Sequence, residues 1–481
     1  MNPIQILFKN TSWLTVSQIL TNIFAFVWTI LIARYLGVSD FGVIGFATSF
    51  MTIASIFMDI GLSPYATRDL SRDQSLTNKY LGNMIPLKIF LSLIILLVVT
   101  GILYLMNYPI LVIDICIIFG LQFFIMGMVA LVNGVFQAYE KMEYQSIGIV
   151  INSGGLLIFT IIAIHLDLGI VSIAVAYLLA AIANISYLIK SLKSKIISKI
   201  KIEFDLKFWI EISKKSYPFG LTSFFTSIYF LIDTVMLSMI SGDYAVGIYS
   251  SAYKVIYVFT TIYGVYTMVV FPLMSKLYKN SKDLLKISYE KSVKYLLLFT
   301  VPLSIGISFY AKYIIVLLFG HQYEPSTIVL QILIWNLMFL FVNGASTVLL
   351  NSSNHEMSVT KINLIACVFN VLINIVLIYQ LSYVGASISV VLTGLVIFIS
   401  MAHLITKKIF VITKALFMDT VKILISSAII AIVLYIGTYI IPLNIWIAAP
   451  LVIIIYAIAI LALKTLDDGD KFIVKELLGK N

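Results

Sequence analysis

The chain has 481 residues, of which 61% are hydrophobic and only 11% charged, with a formal net charge of +10 and a mean hydropathy of +1.05. A soluble domain carries about 25% charge. The composition therefore excludes a disordered chain and leaves too little polar side chain to cover a water-soluble globule of this size. In a soluble protein the positive balance would point to nucleic acid. In a membrane protein it is the excess of Lys and Arg that cytoplasmic loops collect, so no nucleic-acid partner is expected.

A bilayer core about 30 Å thick takes about 20 apolar residues per helix. Apolar runs fall at 11–35, 40–63, 79–106, 109–137, 143–165, 168–190, 216–240, 244–272, 291–319, 325–350, 357–380, 383–406, 415–440 and 442–464. They predict an all-α polytopic membrane protein with about 14 transmembrane helices, spans 1 to 14 below. Asn10-Thr11-Ser12 leads into span 1 without a small-residue cleavage site, so no signal peptide is expected. Cys116 and Cys367 each sit inside an apolar run and read as small buried hydrophobes. His165, His321, His355 and His403 are scattered without HxxxH or HExxH spacing, so neither a metal nor another cofactor is expected.

Lys and Arg collect in alternate loops. One side holds Arg68, Arg72 and Lys79, then Lys141, then the lysines of 190–215 and 276–294. It continues with Lys361, Lys407, Lys408 and Lys414, and ends with the tail lysines of 464–480. The opposite loops are short, with only Arg34 and Lys312 near a span end. The alternation predicts a multi-pass protein of the cell (plasma) membrane with both termini cytoplasmic. The lysine-rich stretch 190–215 reads as a solvated linker drawn to anionic lipid.

That linker divides a weak internal repeat. Gly42-Val43-Ile44-Gly45-Phe46-Ala47 opens span 2, and Gly247-Ile248-Tyr249-Ser250-Ser251-Ala252 opens span 8. Ile85-Pro86-Leu87-Lys88-Ile89 in span 3 is matched by Val301-Pro302-Leu303-Ser304-Ile305 in span 9. Six spans per half give the halves one orientation and an axis along the membrane normal. The predicted organisation is an N-terminal lobe (1–192), a cytoplasmic linker (193–215), a C-terminal lobe (216–406) and spans 13 and 14 with a tail (407–481). Two such lobes can enclose a midplane cavity that opens to either side. No outer loop is long enough for an active-site domain, so a carrier and not an enzyme is expected.

Polar residues at helical spacing mark faces turned away from lipid. Span 1 has Thr15, Gln18, Asn22 and Thr29; span 2 has Thr48, Thr52, Ser55 and Asp59. Span 7 has Thr222, Thr226, Tyr229 and Asp233, span 8 has Ser250, Lys254, Tyr257 and Thr261, and span 11 has Asn363, Asn370 and Asn374. Each stripe alone reads equally as interhelical glue; stripes on spans 1, 2, 7 and 8 together favour a wet cavity. Charges within spans include Asp59, Lys88, Asp233 and Lys254. Each costs about 2.5–3.5 kcal/mol at the bilayer centre, so all four should face protein or water. Lys88 and Asp59 are placed to pair toward the inner side, and Asp233 to approach Lys254. Lys254 is least able to snorkel and is the leading substrate contact, a cation suited to a pyrophosphate. Tyr249, Tyr253 and Tyr257 recur every four residues beside it, for stacking on sugar rings or for ordinary packing.

Leu31-Ile32-Ala33-Arg34-Tyr35-Leu36-Gly37, Asp40-Phe41-Gly42-Val43, Asp59-Ile60-Gly61-Leu62 and Arg68-Asp69 together resemble the start of the polysaccharide-biosynthesis flippases. Ile232-Asp233-Thr234, Gly247-Ile248-Tyr249 and Leu318-Phe319-Gly320-His321-Gln322-Tyr323 resemble later segments of the same family. The family is that of the O-antigen and repeat-unit flippases in the multidrug/oligosaccharidyl-lipid/polysaccharide exporter superfamily. The resemblance implies fourteen helices in two lobes and two C-terminal helices. It implies alternating access through a cavity lined by spans 1, 2, 7 and 8, carrying polyprenyl-diphosphate-linked oligosaccharide to the outer leaflet. Arg34, Asp59, Arg68 and Asp233 fall on family-motif positions; Lys88, Lys254 and Tyr257 rest on the reading of the residues. Coupling to H+ or Na+ through Asp59 or Asp233 is a further expectation. The rival readings are a multidrug/cation antiporter of the same superfamily, a membrane polysaccharide polymerase or ligase, and a peptidoglycan-precursor flippase.

Overall fold

The computed structural model describes residues 3–197, 199–440, 445–466 and 470. Among them there is no strand, and ten helices are long and apolar enough to cross a membrane. The fold is an all-α multi-pass membrane protein. Contacts group into two compact units, Met1–Ser250 and Ser251–Asn481.

In the first unit the chain runs α1 (Pro3–Asp59), α2 (Leu62–Arg72), α3 (Thr77–Leu105), α4 (Ile110–Ala138), α5 (Met142–His165), α6 (Gly169–Lys195) and the beginning of α7 (Leu206–Asn280). At about 1.5 Å per residue, the 57 residues of α1 are far too long for one crossing. The helix is broken at Gly37, whose φ of 78° and ψ of −179° are open only to glycine. Before the break, α1 runs parallel to α5: Lys9 pairs with Glu143, Thr21 shares a hydrogen bond with Ser153, and Tyr35 donates to Asp167. After it, α1 follows α4, with Phe46 stacked on Tyr108 just ahead of α4 and Gly120 facing the Met51 methyl. A tight turn with Glu140 at positive φ folds α5 back on α4, so the two halves of α1 are themselves antiparallel. Such hairpins let ten long helices supply more than ten crossings.

The repeat reappears in the backbone. α7 breaks at Gly242, with φ 80° and ψ 176°, the same conformation as Gly37. A side chain on Gly42 would overlap the carbonyl oxygen of Asp243, and one on Gly247 would overlap that of Val38. The three pairs 37/242, 38/243 and 42/247 share one offset of 205 residues. The contact is thus reciprocal: each repeat's glycine lies on the other's backbone just past its break.

α3 contains Pro86. Its missing N–H frees the carbonyl four residues earlier. That Gly82 oxygen accepts from the Glu203 amide at 3.0 Å. Asn83 fixes the same strap, donating to the Glu203 carboxylate and accepting from the Asp205 amide, each at 3.0 Å. The end of the lysine-rich linker is therefore held against α3.

The second unit contains the remainder of α7, then α8 (Lys282–Phe309), α9 (Ala311–Phe319), α10 (Ser326–Leu333), α11 (Asn336–Ser352), α12 (Glu356–Lys408), α13 (Lys414–Tyr435) and α14 (Ile445–Ala462). α12 is also a hairpin: it breaks at Ser382, and Gly385 lies against the Leu377 carbonyl while Asn370 donates to Thr393. Pro302 in α8 is the repeat partner of Pro86, and the carbonyl it frees, that of Leu298, accepts from the Tyr456 hydroxyl at 3.0 Å. Lys294 is fully buried between Asp419 at 3.0 Å and Asp470 at 2.7 Å, and Lys291 and Tyr295 complete the Asp470 shell. This ties α8, α13 and the tail together.

The glycine crossing makes a stability prediction. Gly42→Ala and Gly247→Ala should each lower unfolding free energy by about 1–3 kcal/mol through overpacking. Gly101, which has open space around it, should tolerate Ala or gain up to about 1 kcal/mol in helix propensity. Thermal unfolding of the three variants in detergent reads the difference.

Candidate functional site

α1 ends at Asp59 because Ile60 and Gly61 both take positive φ, 45° and 74°. The chain re-enters helix at Leu62, and the Asp59 carboxylate spans the gap. It accepts from the Ser63 amide at 3.3 Å and the Ser63 hydroxyl at 2.7 Å, serving as a cap for the new helix. Opposite stands Lys88 of α3, with its side chain 2% exposed. Its ammonium pairs with Asp59 and donates to the Ser63 hydroxyl at 2.7 Å and the Gly127 carbonyl at 2.5 Å. An ammonium has three donors, and here three acceptors take them. A buried lysine survives only when so matched.

Beside this cluster lies a cavity of about 250 Å³. Ser55 and Asp59 of α1, Lys88 and Ser92 of α3, Phe123 and Phe124 of α4, and Ser223 of α7 contribute to its lining. Asp59, with its side chain 24% exposed, presents the charged surface; the lysine stands behind it.

Arg68 lies farther along α2 and is exposed. Its guanidinium bonds Asp69 at 3.1 and 3.3 Å and lies over the Tyr65 ring at 4.6 Å and the Phe219 ring at 5.7 Å. Burial works to raise the Asp69 pKa, but the donors Tyr80, Tyr65 and Arg68 outweigh it and hold the carboxyl below its ordinary range. Arg34 is exposed before the Gly37 break, and Asp233 is buried in the first unit at 3% exposure. In the second unit Lys254 and Tyr257 are both exposed, three residues apart and so on one helix face. The structure thus brings Asp59 and Lys88 together, while Arg68 pairs with Asp69.

The hydroxyls of Thr48, Thr52 and Ser55 donate back to carbonyls of their own helix, so they bind no neighbouring helix as donors. Asn370 and Asn374 are glue within the second unit, bonded to Thr393 and to each other. The side chains of Thr222, Thr226, Tyr229 and Thr261 lie outside the described residues. Sequence reading missed Ser63 and Ser92, although each follows a charged residue, Asp59 or Lys88, by four positions. It had no signal for Phe123, Phe124 or the Gly127 carbonyl, which only tertiary packing delivers.

Comparisons with known proteins bear on this arrangement. The chain matches the family described as "Polysaccharide biosynthesis protein" over residues 7–278 and the MatE family over residues 218–376. It is 22% identical over 413 residues to an uncharacterized membrane protein of Methanocaldococcus jannaschii, covering 81% of this chain and 96% of the relative. It is 24% identical over 412 residues to the capsular polysaccharide biosynthesis protein CapF of Staphylococcus aureus, covering 82% and 97%. Its fold is similar to that of the lipid II flippase MurJ in an inward closed conformation, with TM-score 0.74, 19% identity and coverage of 93% and 97%. It is also similar to an inward-facing multidrug resistance MATE family transporter of the MOP superfamily, with TM-score 0.64, 16% identity and coverage of 80% and 95%.

The Asp69 shell carries a pH sign. A carboxyl held below its unfolded pKa of about 3.9 adds stability above that value and loses it as pH falls through the folded one. Asp69→Asn should therefore lower the melting temperature at pH 7, and the gap to the wild type should narrow as the pH is taken below the unfolded carboxyl value of about 3.9. Thermal melts across that pH range check this.

Proposed function

We propose a function from one premise, that the chain belongs to the polysaccharide biosynthesis protein family: it flips polyprenyl-diphosphate-linked oligosaccharide across the cell membrane by alternating access. The headgroup enters a cavity open to the cytoplasm while the prenyl tail stays in lipid. The repeats 1–192 and 216–406 act as the two rocking lobes, with both termini cytoplasmic. Lys254 neutralises the diphosphate, Tyr257 on the same helix face offers a ring face to sugar, Arg68 attracts the anionic headgroup at the entrance, and Arg34 is a further cationic contact. Lys88 acts through Asp59, which it holds in place. Asp233 is the intramembrane carboxylate that couples transport to H+ or Na+, because the charge of Asp59 is taken up by Lys88. The reading describes a carrier and not a catalyst.

The observation that carries the reading is Lys254, an exposed residue whose side chain makes no hydrogen bond or ion pair among the described residues. Exposure without a partner inside an apolar span suits a site whose counterion arrives with the ligand. The multidrug antiporter reading, which the MatE match over 218–376 keeps in view, needs acidic contacts for an organic cation and not a lysine.

Reconstitution with defined lipid-linked sugars tests the proposal. Lys254→Ala, expressed and folded normally, should reduce flipping at least tenfold, the effect of losing about 1.4 kcal/mol or more of charge-assisted binding. Unchanged flipping rejects the site. Binding of organic cations with no movement of lipid diphosphates rejects the function.

A further inference from the structure

We propose that the cavity beside Asp59 is a subsite for one uncharged sugar ring, oriented by a carboxylate that Lys88 holds in place. The proposal rests on the flippase reading and adds where a single sugar of the headgroup is selected.

Electrostatics decides the ligand class. Asp59 and Lys88 sum to zero charge, and the lysine's donors are taken by Asp59, Ser63 and Gly127. Both Asp59 and Lys88 line the cavity, but the carboxylate is the one open to it, its side chain 24% exposed against 2% for the lysine. A diphosphate there would meet an acceptor and no free cation. A metal ion or ammonium would meet one carboxylate already neutralised, with no second among the lining residues. A prenyl chain would bury that carboxylate without a donor, which costs several kcal/mol. Sugar hydroxyls are donors, and a carboxylate accepts from them in charge-assisted hydrogen bonds.

The remaining walls fit the same ligand. Ser55 already donates to the Thr52 carbonyl, so its oxygen is left to accept. Ser92 and Ser223 add hydroxyls. Phe123 and Phe124 give the apolar surface on which the C–H face of a pyranose packs. The volume of about 250 Å³ lies below the roughly 300–1,000 Å³ of sites for drug-sized ligands. It suits one ring and not an oligosaccharide.

The pair also gives the carboxylate a fixed direction. Lys88 and Ser63 both hold Asp59, and Ser63 in turn stands at the start of α2. Lys88 is a positioning residue: it touches Asp59 and not the sugar.

Ser223→Cys provides a reporter, because Ser223 lines the cavity and is exposed whereas the native Cys116 and Cys367 are buried. The purified full-length S223C chain is alkylated with a maleimide in the presence of methyl glycosides of hexoses and N-acetylhexosamines, or of inorganic pyrophosphate. At least one glycoside should slow alkylation fivefold or more, and pyrophosphate should not. Phe124→Ala should cut the protection at least threefold while leaving the ion pair intact. Asp59→Asn should reduce it below twofold. The Asp59→Asn, Lys88→Met double variant, which removes both charges together, should do the same and guards against misfolding from an orphaned lysine. Protection by pyrophosphate and by no glycoside overturns the proposal, as does full protection in the correctly folded double variant. Vesicle transport of lipid-linked sugar is read separately. Glycoside protection without transport leaves the subsite standing and removes the flippase reading. Transport without protection removes the subsite alone.

Discussion

A chain in hydrocarbon has no water to complete its backbone, and every N–H and C=O must find a partner within the protein. Most of this structure's particulars follow from that constraint. Helix answers it almost everywhere, and the exceptions show how strict it is. Pro86 and Pro302 occupy corresponding places in the repeat, and each frees a carbonyl one turn earlier. Each of those carbonyls is taken up by a distant segment, Gly82 by the amide of Glu203 and Leu298 by the hydroxyl of Tyr456. The residues are different and the solution is the same. In the first unit it also pulls the linker onto α3, turning a stretch that composition describes as solvated into a strap with defined contacts.

The same constraint governs charge. Among the described residues, Lys88 and Lys294 are the two largest charged side chains that the fold buries almost completely. Lys88 meets one carboxylate, a hydroxyl and a carbonyl, and Lys294 meets two carboxylates. Around Lys294 the acceptors come from α13 and the tail and join elements. Around Lys88 they come from a helix end, a helix start and a carbonyl of α4, and one carboxylate is left facing a cavity. A structural ion pair and a cavity-facing group are thus the two sides of one cluster.

Much of this was legible in the sequence. Apolar run length gave the helical membrane class, and Gly37 and Gly242 fall in the short gaps between predicted spans. The matched Gly42 and Gly247 segments revealed the repeat before any contact was known. Asp59 and Lys88 were recognisable because charge inside an apolar run demands a partner, and the pair forms. What could not be read was whatever depends on which helices become neighbours. The Gly127 carbonyl is an acceptor only because α4 passes Lys88, and Phe123 and Phe124 look like any apolar residues until a cavity lies in front of them. The burial of Lys294 escaped notice because a lysine near a span end ordinarily reaches the headgroups, and its acceptors lie more than a hundred residues downstream.

The reciprocal crossing near the two chain breaks brings backbone against backbone, with no side chain between. Such a contact has no side-chain chemistry of its own, and almost nothing in it can be altered without steric penalty. The cavity walls are the reverse, built of side chains whose size and polarity can be exchanged at little cost to the frame. The two regions therefore differ in how freely they can be revised: wall positions can change while the glycine crossing stays as it is.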